Sequence, residues 1–261
     1  MTEDRPHDDL TGRVAVVTGA SGGIGRVSVR RLAARGARVL ATGRDRRRLD
    51  ALRDEVPDIA TLVADLADPD APGAIVAAAE RIGPPVILVA AAGLPGHIDR
   101  AIWDQEPAAW RATLAVNLDA PFLLSRAMSV HMRLVGWGRI VYVASTAGQA
   151  GASEMAAYCA SKHGVIGLMR AVACDIGSFG ATANAVCPGW VRTDMAEADV
   201  RADATRRGLT PAEVWRAHDA SYPRGRVLDP QEVGEVISFL ISDAASGVNG
   251  EAVTVALGGR W

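Results

Sequence analysis

The sequence predicts an α/β fold: a doubly wound parallel sheet with helices on both faces, built as a single domain. Three observations predict it. Short apolar runs of strand length alternate with helical stretches along the chain, and a glycine cluster follows the first of those runs. The 261 residues, 49% hydrophobic and 22% charged, suit one sizeable core and show no composition break that would mark a second.

Residues 1–10 read as a polar leader, and 11–261 as the domain. The first strand is predicted over 13–18, a short apolar run of the kind a strand buried on both faces shows. A helix follows over 22–35, stopped by Gly36, and a second strand spans 37–42. The alternation continues with a helix over 46–55, a strand over 59–64, a helix over 69–81 and a strand over 85–91. One long helix is predicted over 107–135, then a strand over 139–144, a helix over 155–179 and a strand over 182–187. Residues 190–222 break the rhythm, carry many charges and contain no strand; an insertion of that length predicts a substrate lid. A helix over 230–242 and a strand over 251–256 close the chain.

Thr18-Gly19-Ala20-Ser21-Gly22-Gly23-Ile24-Gly25 joins the first strand to the first helix. Glycines there let the backbone turn tightly and let a pyrophosphate approach the helix N-terminus, whose free N–H groups and dipole favour anions. A tight strand-to-helix connection alone would also use glycine, but the position after the first strand is the one that a dinucleotide site requires. This makes the fold Rossmann-like, with spacing T-G-x-x-x-G-x-G. At the end of the second strand Gly43 stands where an acid would hold a ribose 2′-hydroxyl, and Arg44 follows, a guanidinium matched to a 2′-phosphate. NADP(H) is therefore favoured, with NAD(H) as the alternative, although Asp45 sets a carboxylate beside Arg44. Asp65 and Leu66, ending the third strand, are expected near the adenine.

Tyr158 and Lys162 lie four apart in a helical segment, hence on one face one turn apart. A phenol titrates near 10, and an ammonium beside it favours the phenolate, so Lys162 is expected to lower the pKa of Tyr158. Among 28 Lys and Arg residues Lys162 is the single lysine, which suggests a chemical need for a compact ammonium at that point. Ser145 ends a strand thirteen positions before Tyr158, where ligands of a parallel sheet bind.

Taken together, Gly19, Gly23, Gly25, Asn117, Ser145, Tyr158, Lys162 and Pro188-Gly189 resemble the short-chain dehydrogenase/reductase family, over nearly the whole chain from Arg13 to Gly259. The resemblance implies that Tyr158 is the general acid/base, that Ser145 hydrogen-bonds the substrate oxygen, and that Lys162 binds the ribose hydroxyls and tunes Tyr158. It implies that Asn117 orders a water linking Lys162 to solvent. Cofactor contacts would come from Gly19, Ser21, Gly22, Gly23, Ile24, Gly25, Ala91, Gly93, Pro188 and Gly189, from the backbone of Val191 at the carboxamide, and from Thr193 at the phosphates. One departure stands out: Ala90-Ala91-Ala92-Gly93 replaces the family's N-N-A-G run, which puts local rigidity or cofactor affinity in question.

The C-terminal half resembles bacterial polyketide ketoreductases and 3-oxoacyl-carrier-protein reductases, in Ser161-Lys-His-Gly-Val165, Asn184-Ala-Val-Cys-Pro-Gly189 and Leu94-Pro-Gly96. The function expected is an enzyme, an NAD(P)-dependent oxidoreductase reducing a ketone to a secondary alcohol. The alternatives are the same machinery run as an alcohol dehydrogenase, and a dinucleotide-sensing protein without catalysis. Candidate substrate residues are His97, Gln149, Met155, Trp190, Met195 and Trp215, for each of which core packing or a surface position is an equal reading.

A net charge of −2 gives no reason to expect nucleic acid or an acidic membrane surface as partner. The apolar stretch over 86–94 is far short of the roughly 20 residues of a bilayer span, and no signal-peptide core follows the N-terminus, so a cytoplasmic protein is expected. Cys159, Cys174 and Cys187 lack metal-ligand spacing and are odd in number, and no histidine pairing is present, so neither metal nor disulfide framework is expected. Family resemblance implies a homotetramer, paired through the helices over 107–135 and 155–179; a substrate tethered to an acidic carrier is a further option, met by the arginines of residues 192–226.

Overall fold

A computed structural model describes residues 9–97 and 99–259, so most of the predicted leader lies outside the described residues. Seven parallel strands, β1 (Val14–Thr18), β2 (Arg38–Gly43), β3 (Ala60–Val63), β4 (Pro85–Ala90), β5 (Gly138–Val143), β6 (Ala181–Pro188) and β7 (Ala252–Val255), form one sheet in the order β3-β2-β1-β4-β5-β6-β7. The helices are α1 (Gly23–Ala34), α2 (Arg46–Glu55), α3 (Ala71–Glu80), α4 (Pro107–Leu114), α5 (Ala120–Val135), α6 (Ala156–Ile176), α7 (Asp194–Arg207), α8 (Pro211–Ala220) and α9 (Pro230–Ile241).

The two-residue period of a strand divides the core into two layers. Val14 and Val16 face α3, α5 and α6, packing with Ile75, Leu124, Met128 and Met169. Ala15 and Val17 face the other way, into Val29, Leu32, Leu49, Leu52 and Ile237 of α1, α2 and α9. Both faces being covered explains why the strands read as continuous apolar runs rather than alternating ones. The sheet order reverses about β1, which pairs with β2 on one side and β4 on the other, and a cleft opens beyond the carboxyl ends of those strands.

One expectation needs correction. The long helix over 107–135 is interrupted between α4 and α5 by a π turn, Ala115–Asp119, closed by the Ala120 N–H on the Ala115 carbonyl. Pro121 accounts for the break, since it has no N–H to give to the Asn117 carbonyl four residues earlier. Residues 190–222, expected to contain no strand, hold two helices. Thr193 caps α7 and Gly208 ends it in a left-handed conformation; Thr210 and Glu213 then form a capping box that starts α8. The two helices close on an apolar interior of their own, Ala196, Val200, Ala204, Val214, Trp215 and Tyr222, joined by Val227 and Ala256.

Candidate active site

The cleft, about 1240 Å³, runs from the β2–α2 connection across the glycine loop to the start of α6. Every residue expected to bind a cofactor lines it: Gly19, Ser21, Gly22, Gly23, Ile24, Gly25, Arg44, Asp65, Leu66, Ala91, Gly93, Tyr158, Lys162, Pro188, Gly189, Val191 and Thr193. The loop's backbone leaves no room for side chains. Gly19 has φ +62°, and a Cβ there would lie 2.8 Å from Ala92; a Cβ on Gly25 would lie 2.2 Å from the Gly19 carbonyl. Helix α1 starts at Gly22 with no side-chain cap and no acid in its first turn, so its free N–H groups and dipole are left for an external anion. A pyrophosphate fits that cradle.

At the far end of the cleft, the carboxylate of Asp45 accepts from the Arg48 N–H at 3.1 Å and so caps α2. The acid beside Arg44 thus has a structural duty. Arg44 itself is exposed on the cleft wall and makes no hydrogen bond or ion pair among the described residues. Arg48 reaches across to Asp194 at the start of α7, tying the β2–α2 side of the cleft to the 190–222 segment.

The chemical end is built by three elements. Helix α6 carries Tyr158 and Lys162, the chain after β5 carries Ser145, and the π turn carries Asn117. Ser145 accepts from the Ala147 N–H at 3.1 Å, which leaves its own proton to donate, and it lines the cleft together with the phenol of Tyr158. Lys162 is buried, donates to the Val143 carbonyl at 2.7 Å and stands 5.5 Å from the centre of the Tyr158 ring. Burial draws its pKa down to about 8. The expectation that Lys162 brings Tyr158 down needs correction for the chain by itself. Burial pushes the phenol up to about 12, the Ser145 side chain lowers it in part, and the charge of Asp199 raises it further.

Asn117 does not line the cleft but braces its wall. Its side chain accepts the Leu94 N–H at 2.8 Å, donates to the Leu94 carbonyl at 2.9 Å and donates to Ser161 Oγ at 2.9 Å; Ser161 in turn donates to the Tyr158 carbonyl. With Thr18 Oγ1 accepting the Ala92 N–H, these bonds hold the segment in which alanines replace the familiar asparagines. The side chain is thereby fully engaged. Pro121 denies the Asn117 main-chain carbonyl its usual helical donor four residues on.

Of the candidate substrate residues, Met155, Trp190 and Met195 line the cleft, whereas His97, Gln149 and Trp215 do not. His97 lies 3.9 Å from Glu106, Gln149 accepts from Thr254 at the surface, and Trp215 is buried between α7 and α8, edge-on to Trp190. Trp190 is held by the Tyr222 hydroxyl, which accepts its N–H at 2.6 Å. Sequence reasoning missed Asp199, which lines the cleft one turn after Met195 on α7; the i, i+4 spacing after the Thr193 cap was the available signal. Burial pushes its carboxyl up to about 6.

Among the described residues no His, Cys, Asp and Glu group could hold a metal, and no helix is long and apolar enough to cross a membrane. The three cysteines are free thiols; Cys187 is packed in the core, whereas Cys174 is exposed.

A family model described as enoyl-(acyl carrier protein) reductase matches residues 19–259. The chain is 38% identical over 249 residues, 93% of this chain and 91% of the relative, to a Streptomyces violaceoruber protein named as a ketoacyl reductase of the granaticin polyketide synthase. It is 34% identical over 252 residues to 3-oxoacyl-[acyl-carrier-protein] reductase FabG of Escherichia coli, with 95% and 97% of the two chains covered. A variant of the actinorhodin polyketide ketoreductase solved with NADPH superposes with a TM-score of 0.88 at 35% identity, over 97% of this chain and 98% of that one.

Proposed function

The chain belongs to the short-chain dehydrogenase/reductase family, and on that premise we propose that it reduces a ketone to a secondary alcohol with NADPH, Tyr158 giving the proton. The observation that carries the reading is the convergence of Ser145, Tyr158 and Lys162 at one end of a cleft whose other end is an uncapped helix N-terminus beside an unpaired arginine.

When bound, the nicotinamide cofactor supplies the hydride. The glycine loop and the α1 N-terminus hold its pyrophosphate, Thr193 stands beside them against Gly23, and Arg44 takes the 2′-phosphate. Ser145 Oγ–H and the Tyr158 hydroxyl together hold the carbonyl oxygen, and the phenolic proton passes to that oxygen as negative charge develops on it. Lys162, with its pKa drawn to about 8, stabilises the resulting tyrosinate, hands it a proton and takes one back from solvent through water held at the Asn117 carbonyl. Reversing each transfer gives alcohol oxidation. A phenol pushed up to about 12 stands protonated at neutral pH, the form that reduction starts from.

A lid formed by residues 190–222, a homotetramer and a cytoplasmic setting go with this reading. Helices α4 and α5 and the segment before them leave Trp103, Trp110, Phe122, Val130 and Leu134 exposed, an apolar surface suited to subunit pairing. The substrate is a small ketone, free or carried as a thioester. Against docking of an acidic carrier on the 192–226 arginines, Arg192, Arg206, Arg207 and Arg226 are already paired with carboxylates of the same segment or of α9.

The test is NADPH oxidation with a ketone panel, wild type against Tyr158→Phe. Turnover that depends on Tyr158 is expected; if no ketone gives it while NADPH still binds, the non-catalytic sensor becomes the better account.

A further inference from the structure

Beside Ser145, Tyr158 and Lys162 the cleft carries apolar side chains and one acid whose charge acts on the Tyr158 phenol. Leu94, Pro95, Ala144, Met155, Trp190 and Met195 form its wall, and Asp199 stands among them. Among the described residues no donor hydrogen-bonds or ion-pairs with this carboxylate, unlike Asp194, Asp203 and Asp219 of the same segment, which each hold an arginine. Carboxylates taken out of bulk water are ordinarily paired or hydrogen-bonded, so an unpaired one in a ligand cleft implies that the ligand brings the partner. Its position also opposes the chemistry, since its charge holds back ionisation of Tyr158. A substrate group that neutralises or engages the carboxylate removes that opposition.

Resting on the ketone-reductase reading, we propose that Asp199 is a specificity-determining residue: its carboxylate receives a hydrogen-bond donor, hydroxyl or ammonium, that the substrate carries near its carbonyl, and it repels substrates bearing a carboxylate there. Helix α7 sets the placement, because Met195 and Asp199 share the face turned to the cleft and Thr193 fixes the helix start beside the glycine loop.

The test is a matched series of ketones differing only in a methyl, hydroxymethyl, ammoniomethyl or carboxylate substituent next to the keto-bearing carbon chain, assayed with NADPH. In the wild type kcat/KM for the donor-bearing members is expected to exceed that for the carboxylate by at least about tenfold, the size of one charge-assisted hydrogen bond. Asp199→Ala is expected to bring the ratio to within about threefold. Ratios are the readout because any change at Tyr158 alters all four ketones alike. Asp199→Asn keeps an acceptor without the charge, so a hydroxyl preference survives it and an ammonium preference does not. Wild-type ratios retained in Asp199→Ala, or a wild type without donor preference, overturn the assignment. Calorimetric titration of the matching secondary alcohols into the NADP⁺ complex reads the same ratios without turnover. If no ketone shows Tyr158-dependent turnover the reductase reading fails, whereas the binding ratios still decide the role of Asp199.

Discussion

Asn117 grips Leu94 by both of its backbone groups, accepting the N–H at 2.8 Å and donating to the carbonyl at 2.9 Å. The pair fixes the chain beyond β4, where Gly93 lines the cofactor cleft beside Lys162: a Cβ on it would lie 3.7 Å from the Lys162 Nζ. Asn117→Ala leaves buried groups on Leu94 without partners and is expected to cost about 2–3 kcal/mol of stability. Urea denaturation checks the stability, and fluorescence titration with NADPH is expected to show weaker binding. A variant as stable as the wild type would remove Asn117 from its bracing role.

Tyr158→Phe removes the proton donor and little else. A fall in kcat of about 10²- to 10⁴-fold is expected, the usual worth of a positioned acid, with the fold retained by circular dichroism. A decrease below about fivefold would point to another donor.

Arg44 governs the choice of cofactor. Its guanidinium is unpaired among the described residues, while Asp45 is engaged in capping α2. Arg44→Ala is expected to raise KM for NADPH by about tenfold or more and to change KM for NADH by much less, because only the former carries a 2′-phosphate. Equal changes with both cofactors would show a general contact instead.

Asp199 adds to what burial does to the ionisation of Tyr158. Its carboxyl, pushed up to about 6, is charged at neutral pH and lifts the phenol, toward which Ser145 and Cys159 also face. Removing a negative charge makes the tyrosinate easier to form. Reduction needs the protonated phenol, so kcat/KM in Asp199→Asn is expected to decline at lower pH than in the wild type. A pH profile from 6 to 11 decides the point, and coincident profiles would sever the link between the two residues.

Tyr222→Phe tests the anchoring of Trp190. Without the hydroxyl the Trp190 N–H loses its acceptor, and a loss of about 1–2 kcal/mol is expected, read as a lower denaturation midpoint. A higher KM for ketone is expected to accompany it, since Trp190 lines the cleft.

Where local chemistry decides structure, the sequence was readable. The helix expected over 46–55 is α2, Arg46–Glu55, and the glycine cluster lay where the cleft opens, although Asp45, which caps α2, reads in the sequence only as a carboxylate beside Arg44. Tyr158 and Lys162 needed only helical spacing to be brought together. Legibility ended where two signals competed or where contact depended on folding back. Pro121 was a visible helix-breaker, but the apolar periodicity on both sides of it suggested one helix. The capping box at Thr210 and Glu213 was also in the sequence, masked by the charge of its surroundings. Trp215 was distinguishable from Trp190 only once α8 turned the former inward, and Asp199 joined the site only through the direction in which α7 leaves Thr193.

Because α7 and α8 enclose a small interior of their own, joined from later in the chain by Val227, Ala256 and Leu257, replacements on their outer and cleft-facing sides leave the seven-stranded scaffold's packing alone. Selection could therefore retune what this protein recognises by altering one appendage, while the hydride-transfer apparatus, anchored in the sheet and α6, is inherited intact.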